Sequence, residues 1–276
     1  MKVVHTISEL EEHDGGAFVP TMGALHEGHL ALIRHAASLG GTTIISIFVN
    51  PTQFGPSEDF QQYPRRIEHD LQLAETHGAT IAFLPEPETI YPPEESIPVP
   101  PLPAVATQPA LEDACRPHHF AGVCQVVARL FDLVHPHWAI FGEKDYQQLL
   151  VIRAMVAQEQ NRWPNLNIIA QPTVREPDGL ALSSRNINLS PQERPRALGL
   201  IHALLAAQQS TSPQTAEQAM RRILAEHDLK IDYAVVRDSS TLTPITRFSR
   251  PARALIAARL GAVRLIDNIS LTPDGE

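Results

Sequence analysis

Cysteine is nearly absent from this chain. Cys115 and Cys124 are the only two in 276 residues, with neither a C-x-x-C pair nor a metal-ligand spacing, so a disulfide scaffold is excluded. They read as plain thiols in a reducing compartment. Long apolar runs are missing as well. The run from Ile44 to Val49 is broken by Ser46 and is far too short to cross a bilayer. Basic residues are in deficit: 22 Lys and Arg against 31 Asp and Glu leave a net charge of −9, with no basic block. That argues against nucleic acid as the main partner. Glu9, Glu11, Glu12 and Asp14 are unlike the basic start of a secretory leader. The expectation is a cytoplasmic protein with no membrane partner.

What is present is ordinary globular material, 43% apolar, long enough for one large domain or two modest ones. The chain is organised around Ala17-Phe-Val-Pro-Thr-Met-Gly-Ala-Leu-His-Glu-Gly-His29, which runs into Leu30-Ala-Leu-Ile33. A short apolar strand ends in a small-residue turn carrying two histidines, and helical periodicity follows. Strand, glycine loop and helix N-terminus in that order are where α/β proteins hold phosphates. The turn fits neither G-x-G-x-x-G nor G-x-x-x-x-G-K-[ST].

Strands are expected at 17–21, 42–49, 80–84, 138–141 and 166–170, alternating with helices at 30–39, 65–77, 122–134 and 146–157. This βαβ rhythm predicts an α/β fold: a Rossmann-like, doubly wound parallel sheet with right-handed crossovers. The loops 22–29, 50–56 and 142–145 should then share one carboxyl edge, where ligands bind. Between Pro85 and Pro109 the chain is proline-dense and should be extended, either a linker or a cover over the sheet edge. After Pro172, helices at 191–209 and 215–227 precede strands at 231–237, 254–258 and 263–266. That order reads as a smaller α+β domain. The boundary is placed near 175, giving residues 1–175 and 176–276, and no internal repeat is visible.

The candidate chemistry is spread along these loops. His26 and His29, three apart at a strand–helix junction, can project to one side and contact phosphates. Equally, His26 can cap the helix with His29 on its first turn. Zinc would need a third ligand at a familiar spacing, and none follows. Lys144 at the mouth of the crevice would offer a point charge to developing phosphoryl oxygens. Asp145 has three readings: a Mg²⁺ ligand, a partner that orients Lys144, or a cap for the next helix. Ser183, Ser184 and Arg185 form either a plain turn or a compact phosphate clamp. Gln53 and Gln148 are the crevice-side amides suited to a substrate hydroxyl or carboxylate.

The His-x-Gly-His stretch resembles the signature of the nucleotidylyltransferase and class I synthetase superfamily. Five segments together resemble the pantoate–β-alanine ligase (pantothenate synthetase) family. They are Pro20 to His29, Val49 to Phe54, His119 to Val123, Phe141 to Gln148 and Asp178 to Asn186. Thr52 and the stretch 158–166 depart from the family pattern. The resemblance implies a Rossmann-like ATP domain with a C-terminal lid and a homodimer, with 42–49 near the interface. It implies that pantoate attacks the α-phosphate of ATP to give pantoyl-adenylate and pyrophosphate. β-Alanine then displaces AMP. By position, Met22, Gly23, Ala24, Leu25, His26, Glu27, Gly28 and His29 would line ATP, with His29 as proton donor. Gly142, Glu143, Lys144, Asp145, Val174 and Leu182 would frame it, and Lys144, Ser183, Ser184 and Arg185 would grip its phosphates. Gln53 and Gln148 would hold pantoate, Gln53 also near β-alanine, and Mg²⁺ would bridge the phosphates. A nucleotidylyltransferase with a phosphorylated substrate would need more cations than these loops offer. An RNA-binding relative would need a basic face and an aromatic-rich appendage, which the chain lacks.

Overall fold

The computed structural model describes residues 1–11, 13, 15–55, 60 and 63–271. Glu12, Asp14 and Pro56, used in the sequence reading above, lie outside the described residues. The chain divides into two compact units. One comprises Met1–Glu143 and Gln147–Pro172, the other Lys144–Tyr146 and Thr173–Glu276.

In the first unit the order is β1 (Lys2–Val4), α1 (Ile7–Glu11), β2 (Ala17–Thr21), α2 (Glu27–Ser38), β3 (Thr43–Ile47), α3 (Ile67–Thr76) and β4 (Ile81–Phe83). Then come α4 (Pro87–Ile90), α5 (Glu112–Cys115), α6 (His119–Val134), β5 (Trp138–Gly142), α7 (Tyr146–Gln158) and β6 (Asn167–Gln171). The strands form a parallel sheet in the order β1-β4-β3-β2-β5-β6. From β2 the chain winds outward through β3 to β4 and then returns to lay β5 on β2's other side. The order therefore reverses between β2 and β5, and such a switch point opens a crevice at the strands' carboxyl ends.

Alternation along β2 builds both faces of this sheet. Ala17 and Val19 pack with Leu30, Ile33 and Ala36 of α2, and with Ile45 and Ile140. Phe18 faces the other way, edge-on to Phe131 of α6, which also meets Phe141 and Trp163. Helix α2 ends where Gly40 turns to φ +79°, and α3 where Gly78 reaches φ +104°, left-handed stops that favour glycine. Helix α6 is buried on nearly every face, which explains its broad apolar sequence. β1 and α1 were not expected from sequence, because a three-residue edge strand carries too little alternation to read. Thr43 to Ser46, within the stretch proposed for a dimer interface, are buried inside this one chain.

The proline-dense segment holds one short helix, α4, entered at Pro87, and a 3₁₀ turn at Ala104–Ala106. Elsewhere it is irregular, but it is tied down. Gln125 on α6 donates to Ile97 O at 2.7 Å, and Gln147 on α7 donates to Val105 O at 2.9 Å. It covers helices and is no bare linker.

In the second unit follow α8 (Glu193–Ala197), α9 (Gly199–Gln208), α10 (Pro213–Glu226), β7 (Lys230–Asp238), β8 (Ala252–Leu260) and β9 (Val263–Leu271). The strands form an antiparallel sheet, β7-β8-β9. Leu200, Leu204, Met220 and Leu224 from the helices pack with Val236 and Ile256 of the sheet. Ser212 and Thr215 form a capping box at α10 with Pro213 in its first turn. The single helix expected over 191–209 is instead two. Pro195 has no N–H, and Leu198 N–H bonds back to Pro195 O in a tight 3.3 Å turn that separates α8 from α9.

Candidate active site

The loop after β2 is shaped by its backbone. Thr21 Oγ1 donates to Ser46 O at 2.7 Å and accepts Gly23 N–H at 3.2 Å, anchoring the turn to β3. Gly23 and Ala24 both adopt positive φ, +80° and +51°. For Ala24 this is an uncommon conformation that something must hold. The holder is Asp70 on α3, only 1% exposed, whose two oxygens accept Ala24 N–H and Leu25 N–H at 2.8 Å each. Sequence reasoning missed Asp70. The available signal was an acid on the helix stripe otherwise occupied by Ala74, the buried face of α3.

His26 then caps α2 in extended conformation. Its Nδ1 accepts Gly28 N–H at 3.1 Å, while His26 N–H reaches His29 Nδ1 at 3.4 Å. The rings lie 4.1 Å apart at 31°. Because both Nδ1 atoms accept, the neutral rings carry their proton on Nε2. A side chain at position 28 would meet His26 Cε1 at 2.8 Å, so glycine leaves room for the ring. The capping reading and the phosphate reading are therefore compatible: capping through Nδ1 fixes the orientation of Nε2–H. Glu27 is exposed and paired with Arg34 along α2.

The neighbouring loop after β3 is built on Asn50, buried and likewise missed in sequence. Its Oδ1 accepts Thr52 N–H at 3.3 Å and Tyr91 O–H at 2.8 Å, and its Nδ2 donates to Gly122 O at 3.2 Å. Burial raises the Tyr91 phenol pKa, against a smaller opposing effect of the Thr52 hydrogen bond, so Tyr91 remains a donor. Gln53 bridges the two loops: its Nε2 donates to Met22 Sδ at 3.2 Å, and its Oε1 accepts from Asn50 at 3.2 Å. His119 Nδ1 lies 3.1 Å from Gln53 O. Gly122 lets α6 approach this closely, since a Cβ there would stand 2.3 Å from Thr52 O. Gly122→Ala is expected to lower stability by about 1–3 kcal/mol through overpacking. Thermal unfolding checks this, and an unchanged midpoint would show that the loop yields freely.

At the end of β5, Gly142 and Glu143 close the first unit's share of the crevice edge, next to β2 across the switch point. Gln148 on α7 is half-buried. Its neighbour Gln147 is fully committed to structure, accepting Glu112 N–H at 3.0 Å and donating to Val105 O and Asp113 Oδ1 at 2.9 Å.

The remaining sequence candidates lie in the second unit. Lys144 Nζ sits 3.6 Å from Asp145 Oδ2, the geometry of the orienting role for Asp145. Asn268 Nδ2 donates to Lys144 O at 2.9 Å. The stretch 174–185 is a small hairpin. Arg175 bridges to Ala181, Leu182 N–H bonds Val174 O at 3.0 Å, and Gly179 turns at φ +96°. Arg175 anchors it with a bidentate pair to buried Asp267 at 2.7 and 2.9 Å. Ser183 caps the 3₁₀ turn Ser184–Asn188, its Oγ accepting Arg185 N–H at 3.3 Å. Val174, Leu182, Ser183, Ser184 and Arg185 are all half-buried.

The first unit thus brings Gln53 onto Met22 of the 22–29 loop, sets 142–143 at the end of the adjacent strand and also contains Gln148, and the second holds 144–145, 174 and 182–185. Among the described residues no three His, Cys, Asp or Glu side chains gather as a metal cluster, and no helix is long and apolar enough to cross a membrane. Burial pushes the Cys124 thiol up to about 12, so it is no nucleophile near neutral pH.

Comparison with known proteins adds to this geometry. The family model for pantoate-β-alanine ligase matches residues 2–270. A pantothenate synthetase of Novosphingobium aromaticivorans is 45% identical over 99% of this chain and 100% of its own length. That of Thermotoga petrophila is 42% identical over 98% and 100%. Among solved structures, the pantothenate synthetase of Thermus thermophilus superposes with a TM-score of 0.93 at 43% identity, covering 99% of this chain and 100% of that one. A pantoate-β-alanine ligase of Francisella tularensis, complexed with β-γ ATP and β-alanine, gives 0.80 at 33% identity, covering 98% and 97%.

Proposed function

The chain belongs to the pantoate–β-alanine ligase family, and on that premise we propose that it joins pantoate to β-alanine in an ATP-driven, two-step reaction. Pantoate carboxylate attacks the α-phosphate, pyrophosphate leaves, and the β-alanine amine then displaces AMP from pantoyl-adenylate. The observation that carries this reading is the histidine pair at the switch point. Each ring is engaged through Nδ1 at the start of a helix, which makes Nε2 the protonated, donor nitrogen of the neutral ring.

The chemistry asks for little else of a protein. A carboxylate and a triphosphate repel one another, so the work is positioning and charge stabilisation, not covalent catalysis. In this reading the backbone from Met22 to Gly28 cradles ATP, and His29 and His26 donate to the phosphates, His29 supplying a proton to the departing group. Lys144, Ser183, Ser184 and Arg185 neutralise charge on the transferring phosphoryl group. Gly142, Glu143, Asp145, Val174 and Leu182 frame the nucleotide. Gln53 and Gln148 bind pantoate with neutral amides, and Gln53 extends to β-alanine.

Mg²⁺ fits as a companion of ATP. Asp145 is a single exposed carboxylate, the sparse donor set Mg²⁺ uses when phosphates and waters complete its shell. Bound there it would offset triphosphate charge. The same family reading makes the enzyme a cytoplasmic homodimer, with 1–175 as ATP and pantoate domain and 176–276 as lid.

ATP–pyrophosphate exchange should depend on pantoate and proceed without β-alanine. Exchange that ignores pantoate, or that answers to another acid, would overturn the substrate assignment.

A further inference from the structure

Residues Lys144 to Tyr146 are held by the C-terminal sheet through a buried polar network. Asn268 on β9, 3% exposed, donates from Nδ2 to Lys144 O at 2.9 Å. Its Oδ1 accepts Arg253 Nε–H at 2.7 Å, and its own N–H bonds Asp267 Oδ1 at 2.7 Å. Arg253 on β8 is itself buried and lies with its guanidinium carbon 3.9 Å from the centre of the Tyr146 ring. Tyr146 O–H donates to Ser239 O at 2.8 Å. Asp267 is fixed in turn by Arg175.

A network this polar is an expensive way to fill a core. Desolvating an arginine, an asparagine and an aspartate sacrifices hydration that apolar residues of equal volume would not, so net stability is a weak reason for it. What such a network does supply is a fixed geometry. The Lys144 carbonyl and the Asp145 N–H share one peptide plane. Holding that carbonyl therefore sets the direction of both flanking side chains, and the Lys144 ammonium rests 3.6 Å from Asp145.

We propose that Asn268 is a positioning residue for Lys144: it clamps the lysine's carbonyl so that the ammonium is aimed before ATP arrives. The proposal rests on the reading above, in which Lys144 acts on the phosphates. Asn268 touches no substrate. It acts through one backbone oxygen, and Arg253 orients its amide.

Asn268→Asp separates the two halves of the network. A carboxylate keeps the pair with Arg253 but has no N–H for Lys144 O. Pantoate-dependent pyrophosphate exchange should fall roughly ten- to a hundredfold, the penalty of a small misplacement. The new carboxylate oxygen faces the Lys144 carbonyl, acceptor against acceptor, so the unfolding midpoint should drop modestly, and exchange is compared well below it. Asn268→Ser, neutral and too short to reach, should give the same rate loss and serves where added charge disturbs the fold. The decisive readout is a double-mutant cycle with Lys144→Ala. If Asn268 works through Lys144, Lys144→Ala with Asn268→Asp exchanges no more slowly than Lys144→Ala alone. A further drop by the full single-mutant factor would place the effect elsewhere and overturn the proposal. So would wild-type exchange in both Asn268 variants while Lys144→Ala is impaired. Near-normal exchange in Lys144→Ala itself would remove the parent reading, a separate and recognisable failure.

Discussion

Replacing Lys144 by alanine should slow pantoate-dependent pyrophosphate exchange by about two to three powers of ten, the loss typical of one donor aimed at a developing oxyanion. Several features make this a test of chemistry and not of folding. The side chain is 19% exposed, and its visible ion pair is with Asp145, itself half in solvent at 3.6 Å. A pair of that kind is worth at most about 1 kcal/mol, so the midpoint of unfolding should barely move. Neither the carbonyl clamp from Asn268 nor the Arg253 stack on Tyr146 involves the lysine side chain. Lys144→Arg should recover only part of the rate, because a planar fork does not replace a compact ammonium at one oxygen. Turnover within twofold of wild type for the alanine variant would reduce Lys144 to a surface charge.

Asp70→Ala is the second large effect, and its cause lies in the backbone. Removing the carboxylate leaves the Ala24 and Leu25 N–H groups buried without their acceptor. Each orphaned donor costs about 1–3 kcal/mol, against a typical total stability of about 5–15 kcal/mol. The loop that presents His26 and His29 loses its template, and Ala24 has no reason to stay at positive φ. The expected result is a clearly lowered unfolding midpoint with a raised KM for ATP in the surviving protein. Asp70→Asn refines the point at nearly constant volume. Its Oδ1 can accept one N–H, but its amide then faces the other N–H, donor against donor. It should fall between wild type and alanine. An asparagine variant that matches wild type in midpoint and in KM for ATP would show that the carboxylate does not hold the loop.

What could be read from sequence divides along the range of the interactions. Period-two and helical patterns are local, so β2, α2, β3 and α6 were legible, as was the histidine pair at a strand–helix junction. The break between α8 and α9 was signalled by Pro195 but concealed by apolar periodicity continuing across it. Asp70 was hidden for a different reason: its role is defined by partners 45 and 46 residues away. The carbonyl clamp on Lys144 comes from 124 residues downstream. Asn50 looked like a simple turn residue, because its ties to Tyr91 and Gly122 are invisible without the fold. The side chains proposed to carry chemistry sit in local patterns that could be named, whereas the groups that hold their backbone lie far away in sequence.

The proline-dense segment between Pro85 and Pro109 has a thermodynamic consequence of its own. Nine of its residues are proline, each with φ already fixed in the unfolded chain. Such a segment surrenders little backbone freedom on folding, so the ordering penalty of roughly 1–2 kcal/mol per residue is reduced before any contact forms. This explains how a stretch almost without helix or strand can be held by a few anchors: the Ile97 and Val105 carbonyls, the Tyr91 hydroxyl on Asn50 and the Glu95–Arg129 pair. Glycines in place of its exposed prolines, such as Pro93 and Pro98, would leave these anchors intact and still loosen the cover. The change would act on the unfolded ensemble, where no inspection of native contacts would find it.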